Sequence, residues 1–343
     1  MDLRTHLLSG QVIPALPLAL TRTRRWNERR QTALLRYYLD AGAGGVAVGV
    51  HSTQFVIRDP KIGLYEPILA LAADTVRTWP SGRRPVALIA GLCGLTPQAV
   101  SEARIAARHG YHAGMLSLGA MAQADERDIL RHCRTVAKEL PLVGFYLQPA
   151  VGGRVLSHRF WRSFAAIPEV VAIKIAPFNR YRTLDVVRAV LEAGRDDVAL
   201  YTGNDDNIIA DLLTPFEVAG RTRFIVGGLL GQWGVWTERA VALLDSIKTA
   251  RPKSRLDASW LTRNAAITDA NAAIFDPSHD FAGCLPGIHE VLRRQGLLET
   301  TACLDPQECL SPGQAAEITR VTKAYPWLVD DAFVAKNLAR WLA

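Results

Sequence analysis

The chain has 343 residues, of which 49% are apolar and 21% charged, and its mean hydropathy is +0.07. That balance excludes disordered and fibrous classes and leaves ample apolar side chain for a large core. The formal charge of +7 comes from scattered arginines, so it favours anionic small molecules without marking a nucleic-acid face.

The dense basic cluster is Thr21–Arg30, TRTRRWNERR. It reads as a solvated loop entering a helix, because no basic, aromatic-interleaved platform follows it, and no nucleic-acid partner is expected. The five cysteines, Cys93, Cys133, Cys284, Cys303 and Cys309, form no CxxC pair and have no zinc-ligand spacing. An odd count of unpaired thiols fits a reducing, cytoplasmic compartment, and no metal is expected. The opening MDLRTHLLSGQ has no apolar h-region, and apolar runs break within about ten residues, too short for a membrane span.

From Val12 to residue 250 short apolar runs alternate with longer amphipathic ones. Val12–Leu20 (VIPALPLAL) is the first run, and Asn27–Asp40 is a helix with Asn27 at its N-cap. The Gly42–Gly45 turn leads into strand Val46–Val50, a helix is centred on Glu66–Thr78, and Pro85–Cys93 is the third strand. Thr96-Pro97 opens the next helix, with proline in the first turn where its missing N–H costs nothing. His112–Leu118 and Leu142–Gln148 are the fourth and fifth strands, separated by helix Ala124–Leu140, and Ser157 caps a short helix to Ala166. Val170–Ala176 is the sixth strand, Val198–Gly203 the seventh and Phe224–Gly228 the eighth, with helices Thr183–Ala193 and Trp236–Ala250 beside them.

Strands apolar on both faces belong to an all-parallel sheet, and eight such units specify an α/β fold, the (β/α)8 TIM barrel. The alternative, an open doubly wound sheet, would place a glycine-rich turn after an early strand, whereas Gly42–Gly45 precedes its strand. The alternation stops near Arg251, giving a barrel over 1–250 and a helical C-terminal extension over 251–343 packed on it.

In such a barrel, chemistry sits at the C-terminal ends of the strands. Lys174 stands in VVAIKIAP, flanked by Ile and Ala on both sides. A buried ammonium is costly unless its pKa falls, and a neutral amine is the nucleophile that attacks a ketone. The competing reading is a lysine whose stem packs while its ammonium snorkels to water. Tyr146 ends the neighbouring strand, so the two side chains are expected to point inward together as an acid–base pair. His51, Ser52 and Thr53 supply hydroxyls and turn N–H groups suited to a carboxylate, or form an ordinary turn. Gly203 and Gly228 allow close approach to a ligand or tight turns. Asp205 and Asp206 read as caps of the following helix.

In their order along the chain, the VIPAL strand, the polar turn after strand two, Tyr146-x-x-Pro149, Lys174 28 positions after the tyrosine, and the glycine turns of strands seven and eight resemble the dihydrodipicolinate synthase / N-acetylneuraminate lyase family of Schiff-base aldolases. The resemblance spans nearly the whole chain and implies that Lys174 forms an imine with pyruvate or another 2-oxo acid. It further implies that Tyr146 relays protons and that Ser52-Thr53 holds the carboxylate. No cofactor is required beyond that imine, and a homo-oligomer, dimer or tetramer, is implied. Val151 stands where dihydrodipicolinate synthases carry a substrate-binding arginine, and Ser117–Met121 lacks their strand-four tyrosine, which argues against lysine biosynthesis. The reading is therefore a carbon–carbon lyase or aldolase, or a dehydratase. A barrel without catalysis that binds a sugar acid is the alternative.

Overall fold

The computed structural model describes residues 1–80 and 84–343. Among the described residues ten strands and thirteen α-helices follow one another. They begin with α1 (Leu3–Leu8), β1 (Val12–Pro14), α2 (Glu28–Asp40), β2 (Gly45–Val48), α3 (Tyr65–Thr78) and β3 (Ala87–Leu92). Next come α4 (Thr96–Arg108), β4 (Ala113–Leu116), α5 (Glu126–Ala137), β5 (Leu142–Leu147), α6 (His158–Ala165), β6 (Val170–Ala176) and α7 (Arg180–Glu192). The barrel region ends with β7 (Ala199–Thr202), α8 (Ile208–Leu213), β8 (Phe216–Val218), β9 (Arg221–Arg223), β10 (Gly227–Leu230) and α9 (Thr237–Ala250). The extension comprises α10 (Ser259–Phe275), α11 (Cys284–Arg294), α12 (Gln314–Ala324) and α13 (Asp331–Leu342).

Eight strands pair in parallel in the order β1-β10-β7-β6-β5-β4-β3-β2. The sheet closes on itself: the Gly44 N–H donates to the Val12 carbonyl (3.0 Å) and the Leu16 N–H to the Ala47 carbonyl (2.8 Å). The fold is a (β/α)8 TIM barrel, and the open doubly wound alternative fails on that closure. Two apolar layers explain why the strands lack a polar face. Ile13, Ala47, Ile89, Met115, Val143 and Leu229 fill the interior, while the outward residues pack under the helices.

Two elements depart from the sequence reading. The eighth barrel strand is β10, three residues later than Phe224–Gly228, because an antiparallel hairpin, β8 with β9, precedes it. Ala219 and Gly220 both take positive φ at its turn (50° and 74°), the geometry of a tight two-residue hairpin. At the other end α1 plugs the barrel floor. Leu7 is fully buried among the interior side chains and its carbonyl accepts from the Tyr201 hydroxyl at 2.8 Å.

The basic cluster at 21–30 does lead into α2, whose N-cap is Asn27. The loop is exposed, with Arg22, Arg24, Arg25 and Arg29 at the surface, and three of its five arginines also reach the extension: Arg24 donates to the Cys303 carbonyl (3.0 Å), Arg29 to the Leu342 carbonyl (2.6 Å) and Arg30 to the Gly296 carbonyl. They hold exposed carbonyls of the extension against the barrel. Trp341 of α13 is fully buried and its indole N–H donates to Asp40 at 2.6 Å. No helix among the described residues is long and apolar enough to cross a membrane.

Candidate active site

On β6 the period-2 alternation sends Ile173 and Ile175 outward beneath the helices. Ala172, Lys174 and Ala176 face the interior, and the small alanines leave room for the lysine stem. Lys174 lies opposite Phe145 on β5 and Tyr201 on β7. Its Nζ sits 4.6 Å from the centre of the Phe145 ring. Gly203 is needed beside it, since a Cβ there would lie 2.6 Å from the lysine Cε. Among the described residues the ammonium has no ion-pair or hydrogen-bond partner. Burial pushes its pKa down to about 8, opposed by the charge of Asp205.

Asp205 comes from the loop after β7. Its carboxylate accepts the Gln232 N–H at 3.3 Å and faces the same cavity as Lys174. Burial raises its pKa to about 7, partly offset by the attraction of Lys174. Amine and acid therefore titrate in overlapping ranges, so both neutral and charged forms of the pair are accessible near neutral pH. The expectation that Asp205 and Asp206 cap the following helix is corrected. Asn207 occupies that cap position, without a side-chain cap bond, and Asp206 lies near Arg180 at 3.7 Å. The loop is fixed by Asn204, fully buried, which receives the Phe178 N–H (2.9 Å) and donates to Asp211 (2.9 Å).

The turn after β2 splits the roles of its three residues. His51 and Ser52 line the cavity, and the Ser52 hydroxyl has no hydrogen bond among the described residues. The His51 and Ser52 N–H groups open a single 3-10 turn and have no backbone acceptor there. Thr53 lies beneath the site, accepting from the Gly49 N–H (3.0 Å) and donating to the Leu16 carbonyl (2.7 Å), so it holds the turn and does not reach the cavity. The enclosing wall, then the Lys174 ammonium, holds the His51 pKa below the usual imidazole value.

Tyr146 is not beside Lys174. The register pairs Phe145 with Lys174 and Tyr146 with Ile175, so alternation turns the phenol outward. It packs on Trp161 with ring centres 4.9 Å apart, and its hydroxyl donates to the Leu156 carbonyl at 3.3 Å. The interior position expected of Tyr146 belongs to Phe145. Gly228 also faces away, since a Cβ on it would meet the Trp233 ring at 2.6 Å outside the barrel, whereas Gly231 lines the cavity. The cavity roof comes from the extension, through Phe275, Phe281, Cys284 and Ile288. The Cys284 thiol, pushed up to about 12 by burial, is neutral and serves as apolar surface. No cluster of His, Cys, Asp and Glu among the described residues could hold a metal ion.

Sequence reasoning missed Asp205, Phe145 and the roof. The strand-end rule did point to the loop after β7, but the acid in it resembled a helix cap. The roof carries no sequence signal near the barrel motifs.

No protein-family model matches the sequence, and no curated protein matches it. Solved structures do. CdNal from Clostridium difficile in complex with mannosamine aligns over 92% of this chain and 99% of its own, with a TM-score of 0.73 and 16% identity. YagE, an E. coli K12 prophage protein of the dihydrodipicolinic acid synthase family in complex with pyruvate, aligns over 92% and 98%, with a TM-score of 0.72 and 17% identity. Dihydrodipicolinate synthase from Oceanobacillus iheyensis covers 95% and 98%, at a TM-score of 0.73 and 16% identity. The fold is that of the dihydrodipicolinate synthase and N-acetylneuraminate lyase structures. The family likeness read from the strand motifs is thus matched in the backbone along nearly the whole chain. At such identity the dihydrodipicolinate synthase-like barrel fixes the scaffold, and function rests on this chain's own side chains.

Proposed function

We propose that the protein is a Schiff-base lyase or aldolase acting on pyruvate or another 2-oxo acid through Lys174, in the manner of the dihydrodipicolinate synthase and N-acetylneuraminate lyase family. The observation that carries this is an interior amine with no salt bridge among the described residues, its pKa lowered by burial to about 8, at the C-terminal end of a barrel strand and lining a cavity. The pyruvate bound to the structurally similar YagE supports the substrate class.

The neutral Lys174 amine attacks the ketone carbon. Asp205 in its acid form gives a proton to the departing hydroxyl as the carbinolamine becomes the iminium. The same carboxylate then accepts the proton from the neighbouring carbon, and the iminium draws the electron pair into an enamine. In the cleavage direction the C–C electron pair flows into the iminium, and in synthesis the enamine attacks an aldehyde. Ser52 and the free N–H groups of its turn hold the carboxylate. Asp205 stands in for Tyr146, whose hydroxyl lies outside the barrel. Val151 gives the cavity wall an apolar surface where lysine biosynthesis would need an arginine, so that reaction is not the proposed one.

The test is borohydride reduction with pyruvate and a panel of 2-oxo acids, read by peptide mass. An irreversible adduct is expected on Lys174 and absent from Lys174→Ala. A lysine left unmodified by every acid in the panel would refute the mechanism.

A further inference from the structure

The cavity above Lys174 has a composition that the proposed imine does not by itself require. Beyond Lys174, Asp205 and the turn that would hold the 2-oxo acid, its walls are Leu147, Val151, Phe178, Phe275, Phe281 and Ile288. Among the described residues no arginine lines it, and beyond the turn the further uncharged polar side chains are Gln148 and the weakly hydrogen-bonding Cys284 thiol. A polyol or a second carboxylate placed here would lose water without finding partners, a penalty that makes such a wall selective against it.

The backbone at two of these rings is itself unusual. Phe178, just after β6, has φ of 51°, and Phe281, in the extension, has φ of 66°. Bulky residues rarely take the left-handed region, and such outliers gather where a ligand is clamped. The two rings meet edge to face with centres 6.2 Å apart, joining barrel to extension across the cavity. A second cavity lies behind them and shares Phe178, Phe275, Phe281 and Asp205 with the first. The two have volumes of about 90 and about 110 Å³. Apolar cavities near 150 Å³ take up benzene; neither cavity reaches that size, and the Phe178, Phe275 and Phe281 rings that wall both must part for one ligand to use the two. The rear cavity keeps some polar character: the Thr268 hydroxyl donates to the Asp206 carbonyl (2.8 Å) and the Asn271 amide to the Asp205 carbonyl (2.7 Å), while Asn271 Oδ1 and Asp206 Oδ1 have no hydrogen-bond partner among the described residues.

We infer that the partner of the 2-oxo acid is an uncharged aldehyde carrying an aromatic or branched-alkyl group, seated among Phe178, Phe275 and Phe281. The inference rests on the Schiff-base reading of Lys174. In synthesis the enamine carbon attacks the aldehyde carbon, one C–C bond forms, and the carbonyl electron pair moves to oxygen, which takes a proton from Asp205. Water then hydrolyses the iminium, freeing Lys174 and a 4-hydroxy-2-oxo acid. Cleavage is the reverse.

The experiment has two arms on the full chain. Borohydride trapping with pyruvate tests the lysine alone and needs no aldehyde. The second arm incubates the protein with pyruvate and benzaldehyde, 3-methylbutanal, glyceraldehyde, N-acetylmannosamine or succinic semialdehyde, and measures the condensation product by mass. The two apolar aldehydes are expected to exceed the other three in kcat/KM by about tenfold or more, the range a hydrophobic pocket supplies. Trapping without that preference, or with no aldehyde condensed, overturns the aldehyde class and leaves the lysine chemistry standing. Absence of trapping removes both. Phe281→Gly deletes the ring while keeping a residue suited to positive φ. With its fold checked by circular dichroism, it should lose most of the preference, and an unchanged preference would overturn the seat.

Discussion

At the scale of single residues, two titrations frame the chemistry. Lys174 with a pKa near 8 is mostly protonated at neutral pH, and Asp205 near 7 is divided between its two forms. In the proposed mechanism attack needs the free amine and dehydration needs Asp205 in its acid form, so imine trapping should rise about tenfold per pH unit on the acid side, be highest between pH 7 and 8, and fall on the alkaline side as Asp205 loses its proton. The charge of Asp205 raises the lysine's pKa, so Asp205→Asn should remove the alkaline fall and leave one inflection, that of the amine, below pH 8. The variant also loses the acid that removes the carbinolamine hydroxyl, and its plateau rate should fall by about 10²-fold or more, the usual worth of a positioned proton donor. A trapping profile of the same shape in both proteins would show that Asp205 neither supplies the proton nor interacts with the amine. The folded pKa of Lys174 lies below its ordinary 10.5, so the buried amine costs stability below pH 8, a cost that fades as the unfolded lysine also deprotonates.

This scale also shows what was legible in the sequence. Lys174 was, because a lone lysine among Ile and Ala violates the burial rule that its neighbours obey. Tyr146 was misplaced because motif spacing counts residues, while the side a residue faces depends on strand parity. A single step exchanges Phe145 for Tyr146 at the cavity wall. Asp205 was hidden by the resemblance of Gly-Asn-Asp-Asp to a helix start, and only the position of Asn207 beneath α8 separates the two roles.

Among elements, the strands were readable and their outer supports were not. Apolar runs announce buried strands, and β6 lies where that pattern places it. The hairpin before β10 escaped because its strands are three residues each and half polar, which gives no period to detect. A support of this kind lies under the Ser52 turn. Arg58 pairs with Glu102 at 2.9 Å, both largely buried, and its guanidinium also donates to the carbonyls of Gly49 (3.0 Å) and Gly91 (2.8 Å). The other carboxylate oxygen of Glu102 accepts the Cys93 N–H at 3.0 Å. The pair thus ties the ends of β2 and β3 together beneath the cavity. Removing one charge leaves the other buried and unpaired, which costs about 3–5 kcal/mol. Glu102→Gln should therefore lower Tm by several degrees, and it should raise KM for pyruvate by loosening the turn that carries His51 and Ser52. A drop in Tm with KM unchanged would make the pair structural only.

For the molecule as a whole, the barrel supplies Lys174, Asp205 and Ser52, and the extension supplies the roof. The sequence placed a helical appendix on the barrel, but packing at such range leaves no local signature, so its role as a cavity wall emerged only from the fold. The coupling between the two parts runs through a buried polar cluster. The Tyr37 hydroxyl on α2 donates to Asp330 at 2.7 Å and accepts the Thr237 N–H at 2.6 Å. The other oxygen of Asp330 accepts the side-chain amide of Gln295, at the end of α11, at 2.8 Å. Since α11 carries Cys284 and Ile288 over the site, the cluster sets how the roof sits on the barrel. Tyr37→Phe leaves the Thr237 N–H without its partner, at a cost of about 1–3 kcal/mol, while the same Asp330 oxygen keeps the Glu238 N–H at 3.2 Å. Lys174, Asp205 and the Ser52 turn all belong to the barrel. The expected result is therefore a lower Tm and a raised KM for the aldehyde, with the rate of pyruvate trapping at Lys174 little changed. If trapping slowed while the aldehyde KM held, the roof would be a support of the catalytic groups rather than a wall for the second substrate.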